Sequence, residues 1–341
     1  MKKLAWAQMQ LYEYGIDEIV YDERYEHYIE QYNKQMKKYS SNKLMNPSLA
    51  TMQRIHTPLK ALFKTKLLFN RKTFEIIADK HTTSDRPIIF AVTHIGKFDI
   101  EMLIMAIKEH CVVLTSDFEH LSNTFDGFFI SLNGVLYFCH SEKEMRQSVS
   151  DRMINTLKSG GNIMYFPEGT WNMTPNLPML PCYWGIIDVA QKGGADIVPV
   201  AIEQYGKHFK INIGANIRFK ECNSLQEKTE CITSLRDTMA TLKWEIWESE
   251  PKLDVETISK DYWSKYQKAR FKEWPWMTKK CIKSFGVDFS DEEFIRYNLM
   301  RVEDLKFKPK NITHVDRAFS HLHKITPNHI TAFLYNKRNH F

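Results

Sequence analysis

From Arg86 onward the chain alternates short apolar runs with segments of helical period, and this alternation limits the fold more than any other feature. The apolar runs fall at residues 88–92, 112–114, 135–139, 163–166 and 197–202. Helix-period segments separate them at 99–108, 142–158 and 183–192. Parallel strands need a long crossover, usually a helix, so the alternation predicts an α/β domain with a largely parallel sheet flanked by helices. A further strand is expected over 210–219 and a long helix over 224–247.

The flanks read differently. Residues 1 to about 80 read as helical, with aromatic residues at Tyr25, Tyr28, Tyr32 and Tyr39 spaced as one helix face requires. Beyond Glu250-Pro251 the pattern is again helical and rich in aromatics. The expected division is an N-terminal helical extension over 1–85, the α/β domain over 86–250 and a C-terminal helical extension over 251–341. Residues 51–74 hold six basic side chains and no acidic one, with leucines between them. Residues 260–283 hold eight basic and two acidic side chains beside Trp263, Trp274 and Trp276. Both segments suit an anionic membrane surface or an acidic partner, and equally a helix docked on the core with its lysines in water.

Charge and length exclude several functions. A net charge of +6 on 341 residues is too mild to suggest a nucleic-acid binder. The longest apolar run, residues 102–107, is six long, against about 20 for a spanning helix. The first residues soon turn polar, without the apolar stretch of a secretory signal. A cytosolic protein is expected, with peripheral contact to the inner face of the membrane left open. The six cysteines are scattered without a Cys-x-x-Cys pair and read as reduced thiols. His321 and His323, near His314 and His329, lack the Cys or carboxylate support of a zinc site, so no metal is expected.

Two blocks carry chemistry. The first apolar run ends in Thr93-His94-Ile95-Gly96-Lys97-Phe98-Asp99. A histidine where a strand stops stands on the carboxyl edge of the sheet, where open α/β domains bind ligands. Asp99 falls in the first turn of the next helix, whose side chains lean back toward the helix start, so its carboxylate can reach His94. An adjacent anion fixes the imidazole tautomer and raises its basicity. The pair is a general base with an orienter and no nucleophile of its own, which suits a reaction in which a substrate hydroxyl attacks. The second block, Phe166-Pro167-Glu168-Gly169-Thr170, ends another strand at the same rim. There Glu168 is expected to be exposed, with the Gly169 and Thr170 amides free to bind an oxygen.

Together these blocks resemble the glycerolipid acyltransferase family, the lysophosphatidate and glycerol-phosphate acyltransferases, which share a His-x-x-x-x-Asp block and a later Phe-Pro-Glu-Gly-Thr block. A glycine-led strand, Gly134 to His140, and Val198-Pro199-Val200 match two weaker blocks. The resemblance covers about residues 86–220. It implies transfer of a fatty acyl group from a thioester, on coenzyme A or acyl carrier protein, to a lipid-like acceptor, with no metal and no bound organic cofactor. His94 would take the acceptor's proton and Asp99 would steady the imidazolium. The oxyanion would meet backbone amides near Gly96, or Lys97. Glu168 would bind acceptor hydroxyls, and Gly169 would let them approach.

Two departures bear on the acceptor. The family's usual arginines, after the glycine-led strand and after Pro-Glu-Gly-Thr, are thought to hold the acceptor's phosphate. Here those places hold His140 and Trp171, which cannot reproduce the paired charged hydrogen bonds of a guanidinium. Lys97, Lys143, Arg146 and Arg152 could supply charge from nearby. The acceptor is therefore a lysophospholipid or glycerol phosphate, or else an unphosphorylated alcohol such as a lysolipid with an amino-acid head or a secondary metabolite, with Trp171 packed against it. A thioester hydrolase and a non-catalytic peripheral lipid-binding module are the competing classes.

Overall fold

The computed structural model describes residues 46–115, 124–137, 143–169 and 182–250, with Leu121, Trp171, Asn172, 178–180, Ser259 and scattered residues of 30–42. Their elements run in the order α1 (Leu49–Phe69), β1 (Thr73–Asp79), β2 (Ile88–Val92), α2 (Asp99–Ala106), β3 (Cys111–Thr115), α3 (Phe125–Asn133) and β4 (Val135–Tyr137). There follow α4 (Lys143–Lys158), β5 (Asn162–Tyr165), α5 (Gly185–Gly193), β6 (Asp196–Tyr205), β7 (His208–Ile213) and α6 (Leu225–Glu248).

The seven described strands form one sheet in the order β1-β7-β6-β2-β5-β3-β4. Every neighbouring pair is parallel except β6 with β7, which are joined by the tight turn at Gly206 and run antiparallel. This is the largely parallel, helix-flanked sheet that the alternation predicts.

Strand side chains alternate between faces, and the two faces build two cores. From β2, Ile88, Phe90 and Val92 join Leu59, Phe63 and Leu67 of α1 and Met102 and Leu103 of α2. From the opposite face, Ile89 and Ala91 join Val149, Met153 and Leu157 of α4, Ile186 of α5 and Leu235 and Met239 of α6. All five β2 side chains are therefore buried, which explains a continuous apolar run in place of an alternating one. α6 starts on a capping box: the Ser224 hydroxyl accepts the Glu227 amide, and the Glu227 carboxylate accepts the Ser224 amide.

Three sequence expectations need correction. Residues 73–79, taken with the helical stretch, form the edge strand β1. Asn70 caps α1, Arg71 takes a left-handed φ of 52° that turns the chain, and the β-favouring Thr-Phe-Glu-Ile-Ile run then pairs with β7. Leu59, Phe63 and Leu67 of α1 share a core with the sheet, and Phe74 of β1 packs against it. The strand expected over 210–219 is regular only over His208–Ile213, followed by a single bridge from Ile217 to Ile197. Helix α3 has no counterpart in the sequence reading, since Phe-Asp-Gly-Phe-Phe-Ile-Ser-Leu-Asn shows no narrow apolar stripe. Its start is held by the Thr124 hydroxyl, which accepts the Gly127 amide. Residues 138–140, 1–29 and 260–341, with the expectations placed on them, lie outside the described residues.

Candidate active site

β2 and β5 lie side by side, with Ala91 paired to Tyr165. Each chain runs three residues past that pair, to His94 and to Glu168, so the register alone sets the two blocks together on the carboxyl edge of the sheet. Thr93 anchors the end of β2: its amide donates to the Val200 carbonyl at 3.0 Å, and its hydroxyl accepts the Ile202 amide at 2.9 Å.

Asp99 reaches back as its place in the first turn of α2 implies. Its Oδ2 lies 2.8 Å from His94 Nδ1 and accepts the Ile95 amide at 2.7 Å and the Gly96 amide at 3.0 Å. The Asp99 side chain is fully buried, whereas that of His94 keeps 19% exposure. A carboxylate that already accepts two amides takes the Nδ1 proton as a third donor, which leaves the imidazole lone pair on Nε2. The ring is clamped between aromatic side chains: Phe166 lies at 4.3 Å between centroids, and Trp171 meets it edge-on at 5.9 Å.

The second block holds His94 by its main chain. Glu168 Oε1 accepts the His94 amide at 2.9 Å, and Oε2 accepts the Leu180 amide at 2.7 Å. The Asn172 amide donates to the His94 carbonyl at 2.7 Å. Glu168 is therefore not exposed, as its strand-end position suggested, but 4% accessible and turned inward. Burial pushes its carboxyl up to about 7, while the Leu180 and His94 amides and the charge of Lys243 pull the other way.

Other assignments change with it. The Gly169 amide is not free, because it donates to the Phe166 carbonyl at 3.0 Å. Gly169 has φ 70°, and a Cβ there would stand 2.7 Å from the Tyr183 ring, so its lack of a side chain makes room for Tyr183. Tyr183 also donates its amide to the Pro167 carbonyl at 2.9 Å. The Gly96 amide, expected near an oxyanion, is taken by Asp99. Lys97 is half-buried with its ammonium 4.9 Å from the Phe98 ring. Thr170, His140 and the side chains of Lys143 and Arg146 lie outside the described residues. Asn172 and Leu180 escaped the sequence reading because they act through backbone amides, which no side-chain pattern announces.

The basic segment also differs from a row of lysines in water. Lys60 donates to the Ile107 carbonyl, Lys66 bridges Glu101 and Asp126, and Lys72 is buried with its ammonium 4.1 Å from the Phe98 ring. Arg54, Lys64 and Arg71 face solvent. Among the described residues no group of His, Cys, Asp and Glu could hold a metal ion.

The segment that holds these residues is similar to known proteins. Residues 73–203 match the Acyltransferase family model. A 1-acyl-sn-glycerol-3-phosphate acyltransferase of Saccharomyces cerevisiae is 29% identical over 127 residues, which are 37% of this chain and 42% of that protein. The chain thus spans about two fifths of that relative's length. The crystal structure of the 1-acyl-sn-glycerophosphate (LPA) acyltransferase PlsC from Thermotoga maritima aligns with a TM-score of 0.44 at 16% identity, covering 56% of this chain and 80% of that one. The segment that carries His94, Asp99 and Glu168 thus lies within the stretch that matches the Acyltransferase family model and is similar to a glycerolipid acyltransferase.

Proposed function

We propose that the chain transfers a fatty acyl group from a thioester to the hydroxyl of a lipid-like acceptor. The observation that carries this reading is the His94–Asp99 pair, a base with its orienter at the sheet's carboxyl edge. In the reaction, His94 Nε2 takes the acceptor's hydroxyl proton as that oxygen attacks the thioester carbonyl. Asp99 offsets the charge of the imidazolium. The tetrahedral intermediate then expels the thiolate, which recovers the proton from His94, and the products are an ester and a free thiol. Glu168 and Asn172 keep the His94 main chain in place, and the Phe166 and Trp171 rings limit how far the imidazole can turn.

Coenzyme A and acyl carrier protein both fit as carriers of the acyl group. Trp171 favours one reading of the acceptor. It is 5% exposed and lies edge-on to His94, at the place where the family resemblance implies an arginine, so an acceptor approaching there meets an apolar edge. An unphosphorylated hydroxyl suits that edge better than a phosphate. Thiol release from long-chain acyl-CoA and acyl carrier protein, with phosphorylated and unphosphorylated acceptors, decides among these. Release that depends on an acceptor establishes the transferase, and the acceptor class giving the faster rate settles the phosphate question. Equal release without any acceptor means a hydrolase instead. Lipid binding with no release from either donor means a binding module.

The same reading places the protein at a membrane surface. At the end of α1 and the start of α3, Leu68, Phe69 and Phe125 are 63%, 85% and 73% exposed, near the cationic Lys64 and Arg71. Large apolar side chains beside cations suit an anionic bilayer. No helix among the described residues is long and apolar enough to cross one. Co-sedimentation with phosphatidylglycerol vesicles is expected, with binding weakened by about 10²-fold or more for Leu68→Asp/Phe69→Asp, since two apolar side chains that would enter the bilayer, at about 1.5–3 kcal/mol each, are lost. Unchanged binding of that variant removes α1 from the contact.

A further inference from the structure

Away from the active site, two half-buried cysteines that look unrelated in sequence meet beside the start of α6. Cys222 stands two residues before the helix cap Ser224, and Cys231 lies in the second turn of the helix. Their sulfurs are 3.2 Å apart, longer than a disulfide's roughly 2.05 Å and close enough that a small side-chain movement would join them.

The surroundings hold Cys222 ready. From α5, the Gln191 side-chain amide donates to Cys222 Sγ at 3.2 Å, while its carbonyl oxygen accepts the Cys222 amide at 3.4 Å. The same amide group donates to the Lys220 carbonyl. One residue further on, Glu227 accepts the Asn223 and Ser224 amides at 2.6 and 3.0 Å, so the loop between the two cysteines is fixed at both ends. The other described cysteines, Cys111 and Cys182, are also free, and burial pushes both their thiols well up.

We propose that Cys222 and Cys231 are a reversible dithiol–disulfide couple, oxidised by a low-molecular-weight disulfide, that staples the first turns of α6 to the loop leaving β7. Cys222 supplies the attacking sulfur, because the Gln191 side-chain amide donates to its Sγ and so favours the thiolate there. The Cys222 thiolate attacks one sulfur of the oxidant, forming a mixed disulfide and releasing one thiol. The Cys231 sulfur, giving up its proton, then displaces the second thiol and closes the bond. Two protein thiols become one disulfide, and one molecule of oxidant becomes two thiols.

The test uses the full chain, incubated with oxidised glutathione and compared with a reduced sample. Two of the six thiols should disappear and return with dithiothreitol. Trypsin cuts after Lys220, Lys228 and Arg236, so the bond should appear as fragment 221–228 joined to fragment 229–236. In Cys231→Ser, glutathione should stay attached to Cys222, since nothing displaces it. The joined fragment should be absent there and in Cys222→Ser. An unchanged thiol count in the wild type, a persistent glutathione adduct on wild-type Cys222, or a bond between any other pair would overturn the proposal.

Discussion

Replacing His94 with alanine should lower acceptor-dependent thiol release by about 10²–10⁴-fold, the usual contribution of a positioned general base. The reason is specific to this site. Of the His94 ring nitrogens, Nδ1 is held by Asp99, so Nε2 alone can receive the acceptor's proton. The variant should keep its fold, because the contacts that fix the loop are made by the His94 main chain, through Glu168 Oε1 and the Asn172 amide. An unchanged far-ultraviolet circular dichroism spectrum together with lost turnover is the expected pair of results. Turnover within a few-fold of wild type would remove His94 from the chemistry and leave the family fold without its expected base.

Glu168 has the second large expected effect, and it shows as opposite trends in stability and rate. Its carboxyl stands near 7 in the folded protein, raised from 4.5 chiefly by burial. Between those two values the folded chain binds more protons than the unfolded one, so stability should fall as pH rises through this window. Activity should rise over the same range, because only the ionised carboxylate accepts both the His94 and Leu180 amides. In Glu168→Gln one carbonyl oxygen replaces two acceptors, and an amide group must face a backbone N–H. A loss of about 1–3 kcal/mol in stability is expected from the unpaired buried donor. Rate should drop by about 10²-fold as the His94 main chain shifts. Denaturant unfolding at several pH values should show the stability slope flattened in the variant. A slope as steep as in the wild type would assign it to another group.

The lesson of Glu168 separates what was legible in the sequence from what was not. Strand-end position and a Pro-Glu-Gly turn put the residue at the right rim, but they could not say which way its side chain turned. Register decided that. With Ala91 opposite Tyr165, the carboxylate lies beside the His94 amide, and the return of the chain through Leu180 supplies a second donor. The Pro-Glu-Gly loop thus holds the His94 main chain through Glu168, a contact that strand-end position alone does not reveal.

Local spacing was enough where the interaction itself is local. Five residues from His94 to Asp99, with a glycine turn and a helix start between, put carboxylate and imidazole within a hydrogen bond whatever the rest of the chain does. The alternation of apolar runs was likewise sufficient for a parallel sheet, since buried strands and crossover helices each leave their own period. Tertiary structure decided what depends on distant segments meeting. β1 is a strand because β7 offers it an edge, Lys66 is an ion-pair bridge because Glu101 and Asp126 converge on it, and Cys222 meets Cys231 because the cap of α6 folds the loop back. Such contacts carry no periodic trace in either partner, so the folded chain alone records them.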